Sequence, residues 1–266
     1  VAGAAWATII GQFVSFFIAM LFHYLLNKEV GGGVKYIKPR AGIIKGIYKI
    51  GVSAAIMQAL LSVMMAGMNA VLGSADADPT VLVGAFGIYY KIQQIALFSA
   101  FGLSNTIITL LSFNHGMKDK QRCAACIKVG VLGSVAVTLI ITILFEIIAK
   151  PLARLFALSG GSSVALTDVC AKAVRIASLS FIFMGFNVAV QGVLQAFGSA
   201  VKPLLTAFMR LILFALPTAY LFTLSPDVLN AVWWTFPIAE ILTCVFSAIF
   251  LRLAIKEHLG CVVARD

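Results

Sequence analysis

Residues 129–149 read V-G-V-L-G-S-V-A-V-T-L-I-I-T-I-L-F-E-I-I-A, an apolar run in which Glu146 is the single charged residue. A helix needs about 20 mostly apolar residues to cross the hydrocarbon layer of a bilayer. Comparable stretches recur along the chain, so the predicted fold is all-α: a polytopic transmembrane helix bundle. We predict seven helices, near residues 5–26, 45–73, 80–113, 127–149, 168–197, 202–224 and 229–253.

The composition of the whole chain excludes a water-soluble fold. Of its 266 residues, 61% are hydrophobic and 11% are charged, whereas a soluble domain is nearer half apolar and a quarter charged. So few charges cannot cover a surface that faces water, and we expect the lipid bilayer to surround the chain. The net charge of +10 does not predict nucleic-acid binding, because that activity requires a basic face on a soluble domain.

The distribution of Lys and Arg predicts the orientation of the helices. Loops 27–49 and 114–128 are rich in basic residues, whereas segments 74–80 and 224–228 contain none. Basic loops tend to remain in the cytoplasm. The basic loops fall on one side if 79–117 is a single helix rather than a hairpin of two. We therefore predict a multi-pass protein of the plasma (cytoplasmic) membrane with a cytoplasmic C-terminus.

The chain lacks the residue patterns of an enzyme or a metal site. Cys123 and Cys126 form one C-A-A-C pair, but no second pair and no histidine stands at the spacing that zinc requires. Asp76 and Asp78 lie in a short loop rather than in a cluster that could hold Mg²⁺ and a diphosphate. We therefore predict no catalytic residue, no metal site and no cofactor, and a protein that is not an enzyme.

Two charged residues lie deep within predicted spans. Glu240 is about midway along the last helix, where a carboxylate must face the bundle interior, water or a partner. It either responds to protons or cations in a transport cavity or forms a buried hydrogen bond with a neighbouring helix. Lys91 lies too deep in its helix to reach the surface easily. It is either a cavity lysine or a hydrogen-bonding anchor. As a cavity lysine it is a candidate partner of Glu240, because the other basic residue within a span, Arg210, lies nearer the cytoplasmic end of its helix.

Amide side chains complete the set of candidate cavity residues. Asn187, Gln191 and Gln195 recur at every fourth position of one helix, so they share a helix face. Such a stripe either holds helices together or contacts a substrate. With Glu240 and Lys91, the candidate substrate-cavity residues are Gln58, Asn69, Asn187, Gln191 and Gln195.

Five short segments match a known family in order along the chain. They are V-A-G-A-A-W-A-T-I-I-G-Q (1–12), I-G-V-S-A-A-I-M-Q (50–58), the G-L-S…N-x-G-x-x…R pattern within 101–122, Q-A-F-G-S-A-V-K-P (195–203) and F-P-I-A-E (236–240). In these segments the chain resembles the MATE (multidrug and toxic compound extrusion) transporters, most closely their DinF-type bacterial branch.

The resemblance implies a protein of twelve helices in two lobes. This chain would then contain helix six as residues 1–27, a cytoplasmic inter-lobe linker as 28–49, the six-helix C-terminal lobe as 50–256 and a cytoplasmic tail as 257–266. Residue 1 is Val rather than Met. We therefore expect a fragment whose partner is the missing N-terminal lobe, helices one to five.

The resemblance also implies a function. A MATE transporter is a cation-coupled antiporter that exports small organic or drug-like compounds by alternating access, with H⁺ or Na⁺ as the coupling ion. Some members carry a cation site in helices seven and ten, but the matching stretches 56–64 and 180–192 contain no Asp or Glu. One alternative is a lipid-linked polysaccharide flippase of the same superfamily, which should line its cavity with several basic residues. A seven-helix receptor is another.

Overall fold

The computed structural model describes residues 2–26, 40–75, 78–158 and 164–260, which contain helices and no β-strand. The predicted all-α class is therefore confirmed. Two of the helices change their winding along their length. Helix α7 continues through a π-helical segment, Met209–Phe214, into α8, and α9 continues through a 3₁₀ turn, Val232–Trp234, into α10. The helices are α1 Ala2–Leu26, α2 Ala41–Gly73, α3 Pro79–Gly116, α4 Lys120–Leu158, α5 Val164–Ser178, α6 Ser180–Ala196, α7 Val201–Phe208, α8 Ala215–Thr223, α9 Val228–Ala231 and α10 Thr235–Leu259.

The number of spans agrees with the sequence prediction. Among the described residues, six stretches are long and apolar enough to cross a membrane. The pair Thr167–Ser178 and Ser180–Ala196, which is bent by 46°, makes a seventh if it is counted as one span. Residues Pro79–Gly116 form one helix, as the distribution of basic loops predicted. Asp78 begins this helix, because its carboxylate accepts hydrogen bonds from the backbone N–H groups of Thr80 and Val81.

The chain divides into two compact units, Val1–Tyr48 and Lys49–Asp266. In the first unit, helix α1 exposes nearly all of its apolar side chains, as a helix that faces lipid or another protein would. Helix α2 begins at Ala41 and so covers the last part of the predicted linker 28–49. The apolar run that follows Arg40 explains this early start.

The predicted domain limits are otherwise untested. Residues 27–39, which hold most of the predicted linker, lie outside the described residues, and so do 261–266 of the predicted tail. Helix α10 extends to Leu259 and therefore includes the first residues of that tail.

The second unit contains two apolar clusters. One is centred on Phe86, Tyr89, Trp233 and Phe236, with the rings of Tyr89 and Phe236 4.7 Å apart. The other lies between the ends of α3, α4, α6 and α10 and includes Leu111, Cys123, Leu194, Phe197 and Leu259. Helix α6 contributes to both clusters and packs against α3, α4 and α10.

Small residues allow the helices around α6 to approach closely. A Cβ added to Gly192 would lie 3.0 Å from the backbone oxygen of Ser104 on α3, and it would also overlap the Ser104 hydroxyl. A Cβ added to Gly185 would overlap the side chain of Thr138 on α4. Glycine thus sets the distance between α6 and each of these two neighbours, as small residues commonly do in membrane bundles.

The α3–α6 contact predicts opposite effects for two glycine substitutions. Gly102→Ala should stabilise the protein by up to about 1 kcal/mol, because alanine is the better helix former and nothing lies within 4 Å of its added methyl group. Gly192→Ala should instead destabilise it by about 1–3 kcal/mol, because the methyl group overpacks the contact with Ser104. Unfolding curves in mixed micelles measure both changes. Equal effects of the two substitutions would contradict the assigned helix contact.

Candidate functional site

The structure places an ion pair inside the second unit. Arg210 on the π-helical segment and Glu240 on α10 are only 5% and 7% exposed, and Arg210 Nη1 lies 3.6 Å from Glu240 Oε1. This distance allows electrostatic attraction but is too long for a hydrogen bond. The two charges therefore neutralise each other in a part of the bundle that water reaches poorly.

Asn187 connects this pair to helix α6. Its Nδ2 donates hydrogen bonds to Glu240 Oε2 at 2.7 Å and to the Glu240 backbone oxygen at 3.1 Å. Asn187 is fully buried, and an amide is retained in such a place only where it has partners. Its position in the sequence stripe is thus explained by helix-to-helix contact.

Two prolines account for the local shape of the helices that carry the pair. Proline lacks an N–H and its ring disturbs the carbonyl four residues earlier. Pro217 therefore disturbs the turn that contains Leu213, which belongs to the π-helical segment with Arg210. Pro237 likewise follows the 3₁₀ turn that ends at Trp234 and precedes Glu240 by one turn.

The candidate pairing of Lys91 with Glu240 is wrong. Lys91 is exposed on α3, and the cation beside Glu240 is Arg210. Counting residues along straight helices placed Arg210 near one end of its span and Glu240 near the middle of another. Helix crossing, the π-helical segment and the length of the arginine side chain bring the two groups together, and none of these can be counted from sequence.

A groove opens beside the ion pair, between helices α2, α3, α6 and α7. Its volume is about 360 Å³, within the range of small-molecule pockets. Arg210 contributes to its wall and also to that of a second, smaller pocket, where Glu240 lies. The groove is lined by Ala54, Met57, Gln58, Leu61, Phe98, Phe101, Ser104, Asn105, Ile108, Val188, Gln191, Gln195, Ala207, Arg210 and Leu211.

The structure brings together part of the predicted cavity set. Gln58, Gln191 and Gln195 line the groove. Asn187 lies behind it, against Glu240. Asn69 is half-buried further along α2 and is not among the lining residues.

Lys91 and two lining residues, Phe98 and Asn105, occupy one face of α3. Lys91 precedes Phe98 by seven residues and Asn105 by fourteen, so the three follow one stripe of the helix. Lys91 is therefore on the side of α3 that faces the groove, although it is not part of the groove wall. Its predicted role in a cavity stays a prediction.

Sequence reasoning missed Arg210, Phe98 and Asn105 as site residues. Arg210, like Glu240, is a charged residue within an apolar span. It was not chosen as a site residue because residue counting placed it near the end of its span. Asn105 could be recognised as an amide within a span, but it was not included among the candidate cavity residues because its helix face was unknown. Phe98 cannot be distinguished by sequence from the many apolar residues that face lipid.

The described residues offer no metal site. No group of three or more His, Cys, Asp or Glu side chains within residues 2–26, 40–75, 78–158 and 164–260 could hold a metal ion. In the groove, the oxygen and nitrogen atoms belong to amides, a serine and one arginine. This chemistry suits hydrogen bonding to an organic molecule rather than ligation of a cation.

Comparisons with known proteins identify relatives over nearly the whole chain. The MatE family model matches residues 53–221. The chain is 25% identical over 260 residues to the multidrug export protein MepA of Staphylococcus haemolyticus, covering 97% of this chain and 55% of that protein. It is also 25% identical over 224 residues to the probable multidrug resistance protein NorM of Thermotoga maritima, covering 83% and 46%.

A solved structure has the same fold. It is described as the outward-facing conformation of a multidrug resistance MATE family transporter of the MOP superfamily, and the match has a TM-score of 0.87 at 20% identity. It covers 96% of this chain and 56% of that one. The chain thus spans about half the length of the relatives that it matches.

Proposed function

This chain belongs to the MatE family, and we propose that it forms helix six and the C-terminal lobe of a secondary transporter that exports organic or drug-like compounds. The remaining wall of the cavity would come from an N-terminal lobe of helices one to five, as the length of the relatives suggests. MATE proteins are transporters and not enzymes, and the relatives MepA and NorM are named for multidrug export and resistance. The DinF branch stays a prediction.

The groove is the observation that carries this proposal. Its polar atoms are spread over four amide side chains, Gln58, Asn105, Gln191 and Gln195, and its apolar surface comes from Phe98, Phe101 and Met57. Amides donate and accept hydrogen bonds in several orientations, and methionine adapts its shape to different ligands. A wall of this kind suits varied organic molecules better than one fixed substrate.

We place the coupling of transport to H⁺ or Na⁺ outside the pair of Arg210 and Glu240. The Glu240 carboxylate already has two partners inside the bundle, the Arg210 guanidinium at 3.6 Å and the Asn187 amide, which donates a hydrogen bond to it. Of the two roles predicted for Glu240, this arrangement favours the structural one. The coupling acid of a cation-driven antiporter is then expected in the other half of the protein.

The alternatives receive less support. A flippase for lipid-linked polysaccharides should present several basic residues to a pyrophosphate, but the described groove wall holds one arginine. The relatives found are named as drug exporters. A seven-helix receptor does not agree with membership of the MatE family.

We propose that the protein lies in the plasma membrane with the C-terminal end of α10 in the cytoplasm. Lys202 and Glu257 form a 2.8 Å ion pair that joins the first turn of α7 to the last turn of α10. Lys118 and Lys120 flank the adjacent turn between α3 and α4. These three lysines thus share this end of the bundle, which supports a cytoplasmic position under the positive-inside rule. The basic residues that lie toward the other end are Lys150, Lys172 and Arg175.

Efflux from living cells tests the proposed function. We expect the full-length protein to lower the accumulation of fluorescent drugs in a host whose own exporters have been deleted. A polypeptide limited to residues 1–266 should insert but give no efflux, because alternating access requires two lobes that move against each other. Drug accumulation by cytometry and membrane abundance by immunoblot are measured together. Normal efflux from residues 1–266, or none from abundant full-length protein, would refute the proposal.

A further inference from the structure

Two residues of the groove wall have buried nitrogen atoms that lack a hydrogen-bond partner among the described residues. These atoms have almost no exposed surface, so a ligand in the groove would reach them when the side chains turn outward. The two residues are Arg210 and Gln191, which are 5% and 6% exposed. The unpartnered atoms are Nε and Nη1 of Arg210 and Nε2 of Gln191, and all three are nitrogens that donate. A buried donor without an acceptor costs free energy, so these atoms favour a ligand that brings acceptor oxygens.

The positive charge of Arg210 also favours a ligand with negatively charged oxygen atoms. Among the described residues of the groove wall, Arg210 is the one ionisable side chain. Glu240 lies behind it, in the smaller pocket, and its oxygen is too far from Nη1 to accept a hydrogen bond. The next charge along the same face of α3, Lys91, is also positive. A ligand in the groove therefore lies beside the Arg210 guanidinium, and the carboxylate that pairs with Arg210 lines the smaller pocket instead.

Apolar surface adjoins these donors. Phe98 and Phe101 on α3 and Met57 on α2 line the same groove. Aromatic rings and a thioether offer a flat, adaptable surface for the carbon skeleton of a small molecule. The groove thus combines one positively charged polar point with an apolar wall.

We propose that this groove binds amphiphilic organic oxyanions. A carboxylate or sulfonate would accept hydrogen bonds from Arg210 and Gln191, and the aromatic or aliphatic body would lie on Phe98, Phe101 and Met57. This inference rests on the proposed function, since it specifies the substrate class of the same cavity. A guanidinium pairs with an oxyanion through two parallel N–H···O bonds, and one arginine suits a ligand with one negative charge.

Matched probes of opposite charge test the proposal by equilibrium dialysis. The protein at full length is placed in nanodiscs of phosphatidylcholine, with 2-naphthalenesulfonate as the anion and (2-naphthylmethyl)trimethylammonium as the cation. We expect the sulfonate to bind at least about tenfold more tightly, the effect of one charge-assisted hydrogen bond. Equal binding, or tighter binding of the cation, would overturn the proposal.

Three variants assign the binding to the groove. Glu240→Gln removes the compensating charge and should tighten sulfonate binding, whereas the double variant R210Q/E240Q keeps a neutral pair and should reduce it to the level of the cation. Gln191→Glu leaves the ion pair intact, adds a carboxylate to the groove and should reverse the preference of the two probes. Melting curves identify any variant that fails to fold. Sulfonate binding unchanged in both R210Q/E240Q and Gln191→Glu would place it elsewhere and refute the assignment.

Anionic lipid headgroups offer the same oxyanion chemistry, and a second nanodisc separates the two sources. If a headgroup occupies the groove, phosphatidylglycerol nanodiscs should weaken sulfonate binding by competition, and this weakening should vanish in R210Q/E240Q. If a free organic anion is the ligand, as we propose, sulfonate affinity should be similar in both lipids. Competition confined to phosphatidylglycerol would replace our assignment with a lipid site.

The two proposals fail in different ways. If cells export drugs but the protein binds the sulfonate no better than the cation, the exporter stands and the oxyanion preference is refuted. If the protein binds the sulfonate in the groove but exports no compound of either charge, the proposed transport is refuted while the site remains.

Discussion

Arg210→Met should lower the free energy of unfolding by about 3–5 kcal/mol, because it leaves the Glu240 carboxylate buried without its cation. The loss arises from the stranded charge and not from the packing of the arginine. Asn187 would still donate to Glu240, but one amide hydrogen bond does not replace a full positive charge. Unfolding of the purified protein in mixed micelles, followed by circular dichroism, measures the change.

The double variant R210M/E240Q should recover most of that loss, because both charges are then absent and the glutamine oxygen can still accept from Asn187. A coupling free energy of about 2–3 kcal/mol between the two positions is expected for groups in direct contact. Lys91→Met serves as the control, since Lys91 is exposed and should alter stability by no more than about 0.5 kcal/mol. Rescue of Glu240→Gln by Lys91→Met, and not by Arg210→Met, would show that the ion pair is assigned to the wrong cation.

The seven spans could be predicted from sequence because a bilayer imposes one strict requirement on them. A spanning helix must be long, apolar and internally hydrogen-bonded, and each of these properties appears in consecutive residues. The continuity of Pro79–Gly116 followed from the charges in the flanking loops. These are local patterns, and they do not depend on how the helices pack.

The candidate site was predicted only in part because it depends on packing. Asn187, Gln191 and Gln195 all lie on α6, but Asn187 meets α10 and the two glutamines line the groove. Which helix lies opposite each residue is a property of the bundle. Sequence alone therefore could not tell an amide that holds helices together from one that lines a cavity.

The partner of Glu240 shows the same limit in another way. Lys91 and Arg210 were both basic residues within spans, and residue counting favoured Lys91. The helix that carries Arg210 departs from regular winding at Met209–Phe214, upstream of Pro217. Proline can be read from the sequence, but the direction in which a disturbed helix turns its side chains cannot.

We expect the groove between α2, α3, α6 and α7 to form part of the substrate pathway. Asn105 lies on its wall, and Asn105→Trp should fill much of the space. Overpacking at this wall should cost a bound substrate about 1–3 kcal/mol, which corresponds to about 5-fold to 150-fold weaker binding. Ile140→Trp is the matched control, because Ile140 is 64% exposed on α4 and is not a lining residue.

The decisive measurement is drug efflux by these two variants at equal membrane abundance. With the full-length protein reconstituted into proteoliposomes, we expect Asn105→Trp to lose at least about four-fifths of the transport rate, as about fivefold weaker binding requires below saturation, and Ile140→Trp to keep it. Transport by Asn105→Trp at the rate of the unmodified protein would show that substrates do not pass through this groove.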